Sequence, residues 1–207
     1  MTRLVLIRHA PTAWNRQKRL QGRTDVPLDA AAEAWVASWR LPAEAEGLPC
    51  VASPLARARR TAEILTGAQP SIEPRLAEMG YGAWEGERLP DLRRRLGVEM
   101  AAMESHGWHF TPPGGESPAM VLARIKPWLA DIAAAGSDRL AVCHNGVIRA
   151  IVADAIGWDL TGKPPVKLLD GMAHLLSLTP GGDVRIDRLN HPLTDRPAPV
   201  EEEGFDG

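Results

Sequence analysis

The chain contains two arginines, two histidines and a glutamate whose residue types suit chemistry on a phosphate group. They are Arg8, His9, Arg57, Glu78 and His144. A guanidinium presents a planar fork of N–H donors that fits phosphate oxygens, and a neutral imidazole nitrogen is a nucleophile. If the fold brings these side chains together, they predict phosphoryl transfer that requires no divalent metal.

The two arginines and the second histidine can form a phosphate pocket around the first histidine. Arg8 and Arg57 can fork onto the non-bridging oxygens of a phosphate, and a cationic His144 can add a third donor. The same donors stabilise charge on the equatorial oxygens in the transition state. His9 can then attack phosphorus through a neutral ring nitrogen while a backbone carbonyl holds the other nitrogen, which gives a covalent phosphohistidine.

Three short apolar runs end where these polar groups begin, and such runs predict buried strands. The runs cover 3–7, 50–52 and 140–143. Apolar residues at helical spacing predict helices over 29–40, 55–66, 89–104, 120–135 and 147–156, and a last pair of strands is predicted over 174–178 and 184–189. Strands that alternate with helices indicate an α/β sandwich around a mostly parallel sheet. Because ligands bind at the carboxyl ends of such strands, we expect the polar groups to converge there.

Several other polar and aromatic residues have a structural interpretation. Ser53 precedes a proline, which is typical of a helix N-cap followed by a proline in the first turn. The basic run 93–95 lies among acidic residues and is typical of a solvated helix face, whereas Trp84 is expected in the pocket wall. His106 and His109 are expected in a solvated loop. No metal site is predicted, because no nearby Cys or carboxylate pair completes four ligands.

The composition is that of one globular domain with a short tail. The chain has 207 residues, a formal charge of −2 and 44% hydrophobic residues. This charge balance argues against a nucleic-acid partner, and a chain of this size needs no disulfide scaffold. No run is long enough for a signal peptide or a membrane span, so we expect a cytoplasmic protein without a membrane partner. We expect a single catalytic domain over 1–191 and a Pro- and acid-rich, loosely attached tail over 192–207.

Five ordered motifs resemble the histidine phosphatase superfamily, which includes the cofactor-dependent phosphoglycerate mutases. The first motif is LIRHAPT at 6–12, followed by Trp14-Asn15. The others are QG with DVPL at 21–28, SPLARA with TA at 53–62, EMGYGAWEG at 78–86 and HNGVIR at 144–149. The motifs span most of the chain, and five in order are far more specific than one alone.

The resemblance implies a phosphoglycerate mutase-like fold, a three-layer α/β/α sandwich, and it implies roles for individual residues. It implies that His9 is the phosphorylated nucleophile and that Glu78 protonates the leaving oxygen and later deprotonates the attacking water. It also implies that Arg8, Arg57 and His144 form the phosphate pocket. The implied substrate-binding set further includes Asn15, Gln21, Gly22 and Asn145. No cofactor is implied for hydrolysis.

The same resemblance favours a phosphatase over a mutase. The chain is shorter than the usual mutase, and the segment PPGGES at 112–117, between Glu78 and His144, is similar to the phosphatase branch. We therefore expect hydrolysis of a small-molecule phosphate ester. Two alternatives stay open. One is a phosphoglycerate mutase primed by 2,3-bisphosphoglycerate. The other is a catalytically silent phospho-ligand-binding protein, which Ala10 and Asn145 suggest because both depart from the commonest family pattern. The oligomeric state is also open, with a homodimer as one alternative.

Overall fold

The computed structural model describes residues 1–199, and this part of the chain contains a six-stranded sheet. The strands are β1 (Thr2–Arg8), β2 (Cys50–Ala52), β3 (Ser71–Ile72), β4 (Arg139–Cys143), β5 (Met172–Leu178) and β6 (Val184–Pro192). Their spatial order is β3-β2-β4-β1-β5-β6. Neighbours among β1 to β4 are parallel, β5 is antiparallel to β1, and β6 is antiparallel to β5. The prediction of a mostly parallel sheet is confirmed.

The helices of the described residues surround this sheet. They are α1 (Ala13–Arg16), α2 (Ala30–Val36), α3 (Ala56–Thr66), α4 (Leu89–Leu96), α5 (Val98–Glu104), α6 (Pro118–Ala134) and α7 (Asn145–Ile156). Side chains alternate along β1, so Val5 and Ile7 pack with α2 and α3, whereas Leu4 and Leu6 pack with α6 and α7. Helices therefore cover both faces of the sheet, which confirms the three-layer α/β/α sandwich and explains why the predicted runs in β1, β2 and β4 are apolar.

The parallel register aligns the carboxyl ends of three strands at one edge of the sheet. Strand β4 lies between the other two and pairs Cys143 with Arg8 of β1 and Val142 with Ala52 of β2. The ladder continues one residue past β1, where the His9 N–H donates to the Cys143 carbonyl at 3.0 Å. The polar residues that follow β1, β2 and β4 are consequently neighbours, as the sequence predicts.

Two predicted helices differ from the structure, and one strand has no counterpart among the predictions. The predicted helix over 89–104 is two helices, because Gly97 adopts a left-handed φ of +52° between them. The predicted helix over 29–40 ends at Val36; Trp39 is still buried in the same core, so the apolar spacing continues past the helix end. Strand β3 was not predicted, because it has two residues and both are exposed.

The first residues of the predicted tail lie against the body of the protein. Leu193 is only 2% exposed, and its N–H and carbonyl hydrogen-bond to Gly171 and Arg40. The indole N–H of Trp35 donates to the Arg196 carbonyl at 3.1 Å. The remaining part of the predicted tail, 200–207, lies outside the described residues, and the division at residue 191 stays a prediction. None of the helices in residues 1–199 is long and apolar enough to cross a membrane.

Candidate active site

The sheet edge formed by β1, β2 and β4 brings the predicted catalytic side chains together. The rings of His9 and His144 have centroids 5.0 Å apart, and Arg57 Nε lies 3.3 Å from His9 Nε2. Glu78 approaches from the loop after β3, and its carboxylate accepts the N–H of Gly146 near the start of α7. All four side chains are buried.

Local contacts determine the tautomer of His9. Its Nδ1 is 2.7 Å from the Ala10 carbonyl oxygen, so Nδ1 carries the proton that this oxygen accepts. The lone pair is therefore on Nε2, where it accepts the Nε–H of Arg57. Burial, followed by the positive charges of Arg8 and Arg57, holds the pKa of His9 well below its ordinary value. His9 is thus a neutral base with its lone pair directed into the site.

Arg57 is completely buried and is held by backbone carbonyls. Its Nη1 and Nη2 donate to the carbonyls of Thr24 and Gly22, each at 2.8 Å. Gly22 has a φ of +55°, and a Cβ there would lie 2.1 Å from Glu85 Oε1, so only glycine fits. The structure therefore gives Gly22, a predicted substrate-binding residue, the role of holding Arg57.

Arg8 has a carboxylate partner that was not predicted. Its Nη1 is 2.5 Å from Oδ1 of Asp170, whereas its Nε is buried without a hydrogen-bond partner among the described residues. Asp170 lies in the connection between α7 and β5. It belongs to none of the motifs and is 162 positions away from Arg8 along the chain, so no sequence pattern pointed to it.

His144 is buried and contacts a serine hydroxyl. Its Nε2 is 2.7 Å from the Ser53 hydroxyl, and it is fully buried. Burial first, then the neighbouring His9 and Arg57, lower the pKa of His144 well below its ordinary value. Without a phosphate dianion, burial and the neighbouring positive charges favour the neutral imidazole. A cationic His144 that donates to a bound phosphate stays a prediction.

The predicted N-cap role of Ser53 is wrong. Helix α3 begins at Ala56, with Leu55 at the N-cap and no capping side chain there. The Ala56 N–H donates instead to the carboxylate of Asp25 at 2.8 Å. Ser53 is completely buried beside His144, so the serine that looked structural belongs to the site.

Glu78 is placed by two backbone N–H groups. Its Oε1 accepts from Met79 at 2.8 Å and its Oε2 from Gly146 at 3.3 Å. Burial raises the pKa of Glu78 above its ordinary value, although both hydrogen bonds and the nearby arginines oppose the shift. A Cβ at Gly146 would lie 2.5 Å from Glu78 Oε1, so this glycine allows the carboxylate to approach α7.

Asn15 and Gln21, both predicted to bind substrate, each form a hydrogen bond with Thr12. Asn15 Oδ1 accepts the Thr12 N–H at 3.0 Å, which forms the capping box of α1. Gln21 Oε1 accepts from the Thr12 hydroxyl at 2.9 Å. These contacts order the loop after β1, and a direct contact of either side chain with phosphate stays a prediction.

A cleft of about 470 Å³ opens beside Glu78. Its wall includes Met79, Gly146 and the predicted residues Asn145 and Trp84. Arg93, expected only on a solvated face, also lines the cleft, where its guanidinium binds Glu104 Oε1. Other cleft residues not singled out from the sequence are Arg149, which lies in the last motif, and Lys163, which lies in none. Across residues 1–199, no group of three or more His, Cys, Asp or Glu side chains is arranged to hold a metal ion.

Comparisons with known proteins agree with this geometry. The profile of the histidine phosphatase superfamily (branch 1) matches residues 4–191. Glucosyl-3-phosphoglycerate phosphatase of Mycolicibacterium vanbaalenii is 34% identical over 199 residues, which cover 89% of this chain and 86% of that protein. A probable phosphoglycerate mutase of an Enterobacter species is 30% identical over 183 residues, which cover 81% of each chain.

A solved structure has the same architecture. The mycobacterial glucosyl-3-phosphoglycerate phosphatase in complex with VO3 superposes with a TM-score of 0.74 at 27% identity, and the match covers 92% of this chain and 99% of that one. The arrangement of the arginines and histidines at the sheet edge, the match over nearly the whole chain and the relatives lead to one conclusion. The chain belongs to the histidine phosphatase superfamily.

Proposed function

We propose that this chain hydrolyses phosphate monoesters of small metabolites through a covalent phosphohistidine at His9. The observation that carries the proposal is the state of His9. Its Nδ1 proton is directed to the Ala10 carbonyl, and its Nε2 lone pair lies 3.3 Å from Arg57 Nε. A neutral nitrogen beside a buried guanidinium is suited to attack a phosphorus atom whose oxygens that guanidinium binds.

In the first step, His9 Nε2 forms a bond to phosphorus while the ester P–O bond breaks. Glu78 transfers its proton to the departing oxygen, so the leaving group departs as a neutral hydroxyl and Glu78 becomes a carboxylate. Arg8 and Arg57 bind the phosphoryl oxygens as negative charge spreads over them. The raised pKa of Glu78 supports this role, because an acid must still carry its proton near neutral pH.

In the second step, water attacks the phosphohistidine. The Glu78 carboxylate accepts a proton from the water as the new P–O bond forms and the N–P bond breaks. Inorganic phosphate leaves, His9 recovers its lone pair, and Glu78 is protonated again. The cycle uses each group in the state in which the previous step leaves it.

The second candidate function is a phosphoglycerate mutase. Several relatives carry that name, among them a 2,3-bisphosphoglycerate-dependent enzyme of Nitratidesulfovibrio vulgaris with 27% identity over 240 residues. The 34% identity to a phosphatase favours hydrolysis. Phosphorus NMR of 3-phosphoglycerate with catalytic 2,3-bisphosphoglycerate distinguishes the two: a mutase accumulates 2-phosphoglycerate, and a hydrolase accumulates inorganic phosphate.

The test of the proposal is a panel of phosphate esters that includes glucosyl-3-phosphoglycerate. We expect turnover that persists in EDTA, is inhibited by vanadate and disappears in His9→Ala. The matched control is His106→Ala, at an exposed histidine, which keeps wild-type rates. Intact mass spectrometry after rapid quenching reports an acid-labile phosphoryl group on the wild type. Wild-type turnover by His9→Ala overturns the mechanism, and phosphate binding without turnover across the panel supports a silent binding protein instead.

A further inference from the structure

The cleft beside Glu78 lies on the side of the site where a leaving group must sit. Met79 and Gly146 line the cleft, and the N–H groups of both donate to the Glu78 carboxylate. Under the proposed function, Glu78 protonates the leaving oxygen, and a general acid must lie within hydrogen-bond reach of the atom that it protonates. The part of the substrate beyond that oxygen therefore extends into the cleft, and the side chains of the cleft determine which leaving groups fit.

The charged side chains of the cleft leave an excess of positive charge. Arg93, Arg149, Lys163 and Glu104 line it. Glu104 forms its ion pair with Arg93 at 2.7 Å. Neither Arg149 nor Lys163 forms an ion pair with any carboxylate in residues 1–199. Two cations thus face the cleft without a protein counter-charge.

Arg149 is held in a defined position. It lies on α7, one turn after Asn145, and its guanidinium carbon is 4.9 Å from the centre of the Trp158 ring. A guanidinium over an aromatic face keeps its N–H donors at the rim of the ring free for an anion. Arg149 is exposed as well as facing the cleft, so its guanidinium is accessible to a ligand there.

Lys163 lies in the connection between α7 and β5, and hydrogen bonds fix the start of that connection. The Trp158 indole donates to the Thr161 carbonyl at 3.0 Å, and the Trp158 carbonyl accepts from the Trp108 indole at 3.1 Å. Trp108 comes from the segment across the cleft, between α5 and α6. The segment that carries Lys163 is therefore hydrogen-bonded to the segment on the opposite side of the cleft.

The remainder of the wall is apolar and aromatic. Tyr81, Trp84 and Phe110 line it, and the rings of Trp84 and Phe110 have centroids 5.8 Å apart. The volume of about 470 Å³ is in the range of sites for drug-sized ligands and exceeds what a three-carbon leaving group needs. Ring surfaces suit an apolar group or the flat face of a sugar.

We propose that the cleft selects phosphate esters whose leaving group carries a second anionic group, a carboxylate or a phosphate, bound by Arg149 and Lys163. The aromatic wall accommodates the portion between the scissile phosphate and that anion. This inference rests on the proposed hydrolase function, because it assigns the leaving-group side of the same site.

The test compares aryl phosphates that differ in one charge. The pair is 4-carboxyphenyl phosphate and 4-carbamoylphenyl phosphate, which have similar shapes, and 1,4-phenylene bisphosphate supplies the second-phosphate arm. We expect kcat/KM to be about tenfold higher for at least one anionic substrate than for the carbamoyl compound, the ratio that one charged hydrogen bond produces. The arm with the larger ratio identifies the anion.

The variants test whether the two cations cause the preference. In Arg149→Gln and Lys163→Gln we expect the anionic-to-neutral ratio of kcat/KM to fall toward one. The control Arg185→Gln, at an exposed arginine of β6 without an ion pair among the described residues, keeps the wild-type ratio. If Arg149→Gln does not fold, Lys163→Gln in the exposed connection still provides the measurement.

The outcomes separate the inference from the proposed function. Turnover of all three substrates with ratios near one, unchanged in both variants, overturns the inference and leaves the hydrolase intact. Absence of His9-dependent turnover on every substrate overturns the proposed function itself. A ratio that falls in Lys163→Gln and stays in Arg185→Gln supports the inference.

Discussion

At the scale of single residues, His9 and Glu78 receive opposite pKa shifts from the same physical cause. Burial disfavours whichever form is charged, so it lowers the pKa of the imidazole and raises the pKa of the carboxyl group. Burial therefore favours an uncharged histidine, and it shifts the carboxyl group toward its protonated form. These are the two states that the proposed first step requires.

The first prediction concerns the pH dependence of that step. The acid is active while protonated, so kcat/KM for alkyl phosphates falls as pH rises through the raised pKa of Glu78. Glu78→Gln should lower kcat/KM for an alkyl phosphate by about 100-fold or more and remove this basic limb. A nitrophenyl phosphate should lose much less, because its leaving group departs without protonation. Equal losses on both substrates contradict the acid role.

The second prediction concerns the carboxylate that binds Arg8. Because Asp170 occupies one nitrogen of the Arg8 guanidinium at 2.5 Å, its negative charge opposes an incoming phosphate dianion. Asp170→Asn should tighten competitive inhibition by inorganic phosphate about fivefold, which corresponds to about 1 kcal/mol.

Inhibition constants measured for the wild type and two variants check this prediction. The matched control is Asp187→Asn, at an exposed aspartate on β6 that binds Ser177, and its inhibition constant should equal that of the wild type. Weaker phosphate inhibition in Asp170→Asn contradicts the competition and means that Asp170 chiefly orients Arg8.

At the scale of elements, the start of α7 positions both His144 and Glu78, the proposed acid. His144 is its N-cap residue, and Gly146 donates its N–H to Glu78. The third prediction follows from the close approach at Gly146. Gly146→Ala places a methyl group 2.5 Å from the present position of Glu78 Oε1, so the carboxylate must move.

We expect Gly146→Ala to lower kcat for an alkyl phosphate by about 10- to 100-fold, because a displaced general acid loses its alignment with the leaving oxygen. Its melting temperature should stay near the wild-type value, since alanine favours a helix more than glycine does. Gly181→Ala is the control, as its Cβ meets nothing closer than 3.7 Å. An unaltered kcat in Gly146→Ala contradicts the placement of the acid.

Sequence patterns predicted elements where a local signal matched the final environment. The runs that became β1, β2 and β4 are apolar because both faces are covered, so their positions could be read directly. Residues that act through distant partners gave no such signal. The contact of Ser53 with His144 spans 91 positions, so the local sequence indicated only a helix cap. Asp170 was not found for the same reason, because its partner Arg8 is 162 positions away.

At the scale of the whole molecule, a buried histidine outside the site links stability to pH. His174 on β5 is 1% exposed, its Nε2 has no hydrogen-bond partner among the described residues, and burial lowers its pKa to about 4. The unfolded chain has the ordinary pKa near 6.5 and binds the proton first. Stability is therefore lost as pH falls from about 6.5 to about 4, by about 3 kcal/mol for this group.

The fourth prediction is that His174→Leu removes this part of the acid sensitivity. Urea unfolding of the wild type and the variant at pH 7 and pH 4 gives the change in the free energy of unfolding for each. The change should be smaller in His174→Leu by about 3 kcal/mol, while His9 and His144 still contribute to the rest. An identical pH dependence in the two proteins means that the pKa of His174 is the same in the native and unfolded states, which contradicts the prediction.

The central position of β4 has a consequence for how the site comes into existence. The segments that carry His9 and Arg57 adjoin β1 and β2, and these strands touch only through β4, which is the last of the three along the chain. A ribosome-bound chain that has not yet released residues 139–143 lacks the strand that aligns them. His9 and Arg57 therefore meet late in synthesis, and the proposed hydrolysis requires that the central strands of the sheet have assembled.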